Sequence, residues 1–228
     1  MRIPAQDEIS LREKVALACL LINSSGLGDY SGHVSCKVPG SDNFYINGRM
    51  KSRAALTGED ILLCNANGEK LKGDDVAPAE IAIHSQIYKA RSDVQSIAHF
   101  HPPEAVLFSV VARALKPVFL KGAMVGTVPV YDNPRHINSP QSGDELAATV
   151  GDGRAALLRG HGAVTVGSTV EEVFFLAVCL EENARRYREC LVLGEPKPLS
   201  EEEIRDIRQS GYKPERFRKI WNYYRSKM

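Results

Sequence analysis

Six histidines occur in the 228 residues: His33, His84, His99, His101, His136 and His161. Two of them, in SIAHFHPPEA (96–105), stand one residue apart at the end of an apolar run, just before Pro102 and Pro103. A strand sends residues two apart to the same side, so both imidazoles can face one object. His161 lies in LLRGHGAV between Gly160 and Gly162, where glycine permits a tight turn and close approach to the backbone. Nitrogens of His99, His101 and His161 at roughly 2.0–2.1 Å would hold a zinc-like ion and leave a fourth position for water or substrate, the pattern of a reactive site. The alternative is a set of polar residues satisfied at strand ends, since 60 residues separate His101 from His161.

The surrounding elements would have to position these side chains. A first helix opens at Ser10 and Glu13, a capping-box pair, with Leu11, Val15, Cys19 and Ile22 on one stripe, and NSSGLGDYSG (23–32) stops it. HVSCKV (33–38) and NFYIN (43–47) read as an antiparallel hairpin, followed by a short strand at 61–64 and a turn at Asn67 and Gly68. A helix is predicted from about Pro78 to Ala90, then the strand VQSIAHF, then a proline-started helix over PPEAVLFSVVARAL. Residues 125–132 read as a strand, 143–151 as a short helix, and 155–168 as two strands joined by a glycine-flanked turn. Thr169 and Glu172 would cap a long helix over 170–190; after a linker, Ser200 and Glu203 would cap another. The pattern predicts a three-layer α/β/α domain over 1–195, with a central mixed, largely antiparallel sheet, and a helical C-terminal extension over 196–228.

With 43% hydrophobic and 25% charged residues, the chain can bury a sizeable core. Lys+Arg 29 against Asp+Glu 28 gives a net charge of +1, without the basic excess that nucleic acid attracts. RDIRQSGYKPERFRKIWNYYRSK interleaves basic and aromatic residues, but its shortness favours a solvated, interface-forming helix over nucleic-acid binding. Apolar runs such as VFFLAVCL are too short to span a bilayer, and MRIPAQDEIS is no secretion signal. Five cysteines without close pairs read as reduced thiols of a cytoplasmic protein.

PAEIAIHSQIYKARSDVQSIAHFHPPEA followed by ALLRGHGAVTVGSTVEEVFFLAVCLEENARRY resembles the class II aldolase/adducin family, from about residue 8 to residue 190. The resemblance implies that His99, His101 and His161 bind one divalent metal, zinc or manganese, and that Glu80 moves protons. It also implies a homotetramer with active sites near subunit interfaces. Glu80, read in the first turn of its helix, sits where the macrodipole favours an anion, with His84 one turn along. The plainer role for Glu80 is a helix-terminal charge packed against Tyr88.

Sugar-phosphate members hold phosphate with an asparagine loop, a PSG-like turn and paired serines. Here His33 replaces the asparagine, NGRMKSRAALTG lacks the turn, and Pro78 and Ala79 replace the serines. Phosphate depends on such donors. The sequence is therefore more similar to the branch of metal-dependent decarboxylases of hydroxylated aromatic or pyridine carboxylates. The implied function is non-oxidative loss of carbon dioxide from a small-molecule carboxylate. Glu80 would reprotonate the ring, with His33 or a water behind it, and Arg159 would face a carboxylate or else make a surface ion pair. His136 and Arg135 are further loop candidates. A retro-aldol lyase or epimerase is the alternative, in which a C-terminal tyrosine (Tyr212, Tyr223 or Tyr224) completes the site from a neighbouring subunit. A non-enzymatic, adducin-like interaction protein is a lesser alternative.

Overall fold

The computed structural model describes residues 10–228; the opening segment, read above for its lack of a secretion signal, lies outside the described residues save for Ser10. In chain order the elements are α1 (Leu11–Ser24), β1 (His33–Lys37), β2 (Phe44–Asn47), β3 (Ile61–Cys64), β4 (Lys70–Lys72), α2 (Ile81–Ala90), β5 (Ser96–Phe100), α3 (Ala105–Val110) and α4 (Gly122–Val125). There follow β6 (Val130–Tyr131), α5 (Pro140–Val150), β7 (Ala155–Leu158), β8 (Gly162–Gly167), α6 (Val170–Cys190), α7 (Glu201–Gly211) and α8 (Pro214–Arg225). The strands form one eight-stranded sheet in the order β4-β3-β2-β1-β5-β8-β7-β6. Only β6 and β7 run parallel, so the sheet is mixed and largely antiparallel.

Helices cover both faces and make the three-layer α/β/α arrangement that the alternation of elements predicts. On one face Val34, Cys36, Ala98, Phe100 and Leu157 pack with Leu21 of α1 and Phe174 of α6. On the other, Phe44, Ile46, Ile97 and Val164 pack with Ile83 and Ile87 of α2 and Leu146 of α5. Each buried Val, Leu, Ile or Phe among them contributes roughly 1.5–3 kcal/mol, so the sheet is held firmly between its layers. The period-two alternation of β1 and β5 then decides which polar residues share a face. Val34 and Ala98 go to the α1 and α6 side, whereas His33, Ser35 and His99 go to the α2 side.

Ser10 with Glu13 and Ser200 with Glu203 form reciprocal capping boxes, as their spacing predicts. At α6 the Thr169 hydroxyl accepts from the Glu172 N–H, but the Glu172 carboxylate turns to Ser168 instead of back to Thr169. Other boundaries move. Helix α2 begins at Ile81, because Pro78 and Ala79 sit in a turn closed by Ile81 N–H to the Pro78 carbonyl, and Glu80 becomes the N-cap. The helix predicted over 102–115 contracts to α3, since the chain reverses at Ala112 (φ +52°) to bridge Leu115 with Val128. Residues 125–132 contribute only the two-residue β6, preceded by the unpredicted α4.

The C-terminal helices are part of the same body: Phe217 and Trp221 of α8 are buried in the core that contains α6. All five cysteines are free thiols. Among the described residues no helix is long and apolar enough to cross a membrane.

Candidate metal and active site

Strand β5 carries His99 inside the sheet, and the chain leaves the strand at Phe100, so His101 stands just beyond its end. The two rings are 5.1 Å apart, nearly edge to face. The connection from β7 to β8 is only Arg159, Gly160 and His161, with Gly160 at φ +62°. It lays the His161 ring 5.0 Å from His99 and 5.3 Å from His101. Gly162 makes this approach possible, because a Cβ there would stand 2.6 Å from the Phe100 carbonyl oxygen and 2.7 Å from His101 Cδ2.

The hydrogen bonds around these rings define which nitrogens are free. His99 Nδ1 lies 3.1 Å from the Ala163 carbonyl, which only accepts, so Nδ1 carries the proton and Nε2 is a bare lone pair. His101 Nδ1 donates in the same way to the Asp29 carboxylate at 3.0 Å, with the Ser31 hydroxyl at 3.2 Å. The Nε2 atoms of both residues are buried and, among the described residues, without a hydrogen-bond partner. A neutral histidine oriented through Nδ1 with its other nitrogen unengaged is the usual disposition of a metal ligand. One nitrogen from each of His99, His101 and His161 falls within 4.8 Å of the others, and together they fit a divalent ion.

Glu80 points off the start of α2 into this cluster. Its Oε2 is 3.5 Å from His161 Nε2 and 3.7 Å from His99 Nε2. Its Oε1 accepts from the Ile137 N–H at 2.9 Å and lies 3.4 Å from His136 Nδ1. Burial works to raise this carboxyl, but His161, His99 and the Ile137 N–H outweigh it and bring it down to about 2. Glu80 is thus held as an anion among the histidines. Tyr88, its expected neighbour, bonds the Ser35 hydroxyl instead.

His33 sits opposite His99 in the β1–β5 register, and a ring nitrogen of His33 falls within reach of Glu80 and His99. Its Nδ1 is 2.6 Å from His84 Nε2, so His84 serves His33 and not Glu80. Beside them the Arg53 guanidinium is buried and donates to the carbonyls of Gly32, Gly48, Arg49 and Lys51. A cavity of about 10 Å³, roughly one water, is lined by Arg53, His33, His99 and Asp29. In the NGRMKSR loop, the Met50 and Lys51 N–H groups both point at the Asp75 carboxylate, at 2.9 and 3.2 Å.

Two candidates stand apart from the cluster within the subunit. Arg159 Nε is 2.5 Å from Asp132, outside hydrogen-bond alignment, on a half-exposed side chain beside the His161 turn. Tyr212 lies on the opposite face of the sheet, where its hydroxyl donates to Glu172 and its ring stacks under Arg154 and against Phe217. Burial and then the Glu172 charge raise its phenol well above the ordinary range. Conversely, Asp29, Ser35 and Arg53 belong to the site and escaped the sequence reading. The DYS step at 29–31 carried a signal, an aspartate whose side chain caps the N–H two residues on, as it does at 2.8 Å.

Residues 13–187 match the family Class II Aldolase and Adducin N-terminal domain. A 3,4-dihydroxyphthalate decarboxylase of Rhodococcus jostii (strain RHA1) is 33% identical over 190 residues, covering 76% of this chain and 77% of that protein. The beta-adducin of Homo sapiens is 30% identical over 178 residues, 75% of this chain and 24% of that longer protein. Among solved structures, an aldolase II superfamily protein from Pseudomonas syringae shares the fold with a TM-score of 0.83 at 23% identity, over 99% of this chain and 94% of that one. The match extends over most of the chain, the fold agrees, and the histidine and glutamate motifs meet in one place: the chain belongs to the class II aldolase/adducin family.

Proposed function

We propose that this chain is a divalent-metal-dependent carbon–carbon lyase, a non-oxidative decarboxylase of a hydroxylated aromatic or heteroaromatic carboxylate. The observation that carries the lyase reading is the pair of buried, unpartnered Nε2 atoms on His99 and His101, set beside His161 and an anionic Glu80. The choice of a carboxylate over a sugar phosphate is supported by the NGRMKSRAALTG loop, which lacks the phosphate-binding turn and whose Met50 and Lys51 N–H groups are taken up by Asp75. The similarity to 3,4-dihydroxyphthalate decarboxylases points the same way.

His99, His101 and His161 would hold the ion, zinc or manganese. When bound, it supplies a positive centre that stabilises negative charge as carbon dioxide leaves. Glu80, held ionised, accepts the proton of the substrate hydroxyl. The bond from ring carbon to carboxylate breaks, its electron pair enters the ring, and Glu80 returns the proton to that carbon. Solvent then neutralises the product oxyanion. Arg159, which flanks the His161 turn, would exchange Asp132 for a substrate carboxylate. For Tyr212 to act across a subunit contact, its hydroxyl would have to leave Glu172. The same reading takes the protein as a cytoplasmic homotetramer, with the sites near subunit interfaces and the 196–228 extension at the contacts.

Carbon dioxide release from a panel of hydroxyaromatic and hydroxypyridine carboxylates, 3,4-dihydroxyphthalate included, tests this directly. Metal-dependent release that disappears in Glu80→Gln is expected. Silence across the panel, with cleavage of a hydroxy-oxo compound to an aldehyde, would move the assignment to the retro-aldol alternative.

A further inference from the structure

Behind His33 lies a buried chain of polar side chains that the reaction above leaves unused. Tyr88 Oη is 2.7 Å from Ser35 Oγ, Ser35 Oγ is 2.6 Å from His84 Nδ1, and His84 Nε2 is 2.6 Å from His33 Nδ1. These residues come from three places in the sequence, β1 and two turns of α2, and the α2 face of the sheet brings them into line. Each link holds one proton, and a Ser35 hydroxyl that accepted from both Tyr88 and His84 would leave its own buried O–H without an acceptor, so the direction of one link fixes the direction of the others.

The far end sets that direction. Among the described residues, the Tyr88 hydroxyl has Ser35 Oγ as its one hydrogen-bond partner, and Tyr88 is 6% exposed. If Ser35 donated to Tyr88, the phenolic O–H would be left buried without an acceptor, which folded proteins avoid. A phenol is also the better donor of the two hydroxyls. Tyr88 therefore donates to Ser35, whose own proton goes to His84 Nδ1. His84 is neutral, pushed down to about 3 chiefly by burial, and so carries its single proton on Nε2. That proton is donated to His33 Nδ1.

We infer that Tyr88, Ser35 and His84 form a positioning relay that fixes His33 as its Nε2–H tautomer, a hydrogen-bond donor facing the Glu80 and His99 side of the site. His33 then has no free lone pair. Although His33, Glu80 and His99 are close enough to share an ion, His33 is excluded as a ligand and as a general base. Its N–H is available to an oxygen anion of the substrate; this last step rests on the lyase reading, whereas the tautomer does not. Burial holds the Tyr88 phenol well above its ordinary range, so the relay orients His33 and does not feed it a proton.

Long-range proton–nitrogen NMR of the full chain, loaded with zinc and labelled with 15N at histidine, reads the tautomers without turnover. His84→Gln assigns the His84 signals. The expected result is a neutral ring protonated at Nε2 for both His33 and His84, kept in Tyr88→Phe, where Ser35 still donates to His84 Nδ1, with His33 Nδ1–H appearing in Ser35→Ala, where that donor is gone. A His33 protonated at Nδ1, or doubly protonated, in the wild type overturns the inference, as does a His33 tautomer unchanged in Ser35→Ala. If the carboxylate panel stays silent while His33 keeps its Nε2–H, the lyase reading fails and the relay stands.

Discussion

Replacing Gly162 with alanine sets a new Cβ 2.6 Å from the Phe100 carbonyl oxygen and 2.7 Å from His101 Cδ2, inside any normal contact distance. The first neighbour is backbone of β5, paired to β8 through five residue positions, and it cannot move without disturbing that ladder. The second is the ring of a proposed ligand. Overpacking of this kind costs about 1–3 kcal/mol, and wherever His101 absorbs the displacement, metal affinity falls by about 5- to 150-fold. Gly160 is the control two residues away. It has φ +62° and nothing within 4 Å of an added Cβ. Gly160→Ala should therefore cost about 1–2 kcal/mol of stability through left-handed backbone strain and leave metal affinity unchanged. Competition with a chromophoric zinc chelator reads the affinity, and urea unfolding reads the stability. If Gly162→Ala binds zinc as tightly as wild type, or Gly160→Ala binds it more weakly than Gly162→Ala, the reasoning from space at His101 is refuted.

Asp29→Asn removes the carboxylate that orients His101 Nδ1–H and should lower zinc affinity about 10- to 100-fold by isothermal titration. Arg53→Met leaves the carbonyls of Gly32, Gly48, Arg49 and Lys51 without their shared donor; urea unfolding should show a loss of about 3 kcal/mol or more, with poor rescue by lysine, which lacks the planar fork. His84 is neutral when folded, with its pKa pushed down to about 3 by burial first and His99 second. Below an unfolded value near 6.5 the unfolded chain binds a proton that the native chain does not. His84 therefore costs about 1.4 kcal/mol of stability per pH unit from there down towards pH 3, and nothing above. Urea unfolding should show stability falling between pH 7 and 5 more steeply in the wild type than in His84→Gln.

The elements legible in the sequence are those whose signals are local. Helix α6 is bounded where Thr169 predicts, and the hairpin of β1 and β2 follows its alternation, because cap and period act within a few residues. Strand β4 is missed since it is three residues long, too short for a period to register, and all three are exposed. The helix after Pro102 is overextended because its end depends on the remote pairing of Leu115 with Val128. In the site, the three histidines and Glu80 are visible by type and motif. Asp29 and Ser35 are not, since each acts on a histidine 72 or 49 residues away, a proximity only the folded sheet creates. Tyr212 shows the converse: an available residue type that its own subunit ties to Glu172, on the far face of the sheet.

In the proposed function, His99, His101 and His161 together hold the ion on which the chemistry depends. Metal analysis of freshly purified protein, and of protein stripped and reloaded with zinc or manganese, tests it most directly beside His101→Ala. One divalent ion per wild-type chain is expected, and its loss in a variant that keeps the native circular dichroism spectrum. A wild-type chain that takes up no ion, or a His101→Ala chain that holds it equally well, would rule out a metal site built on these three histidines.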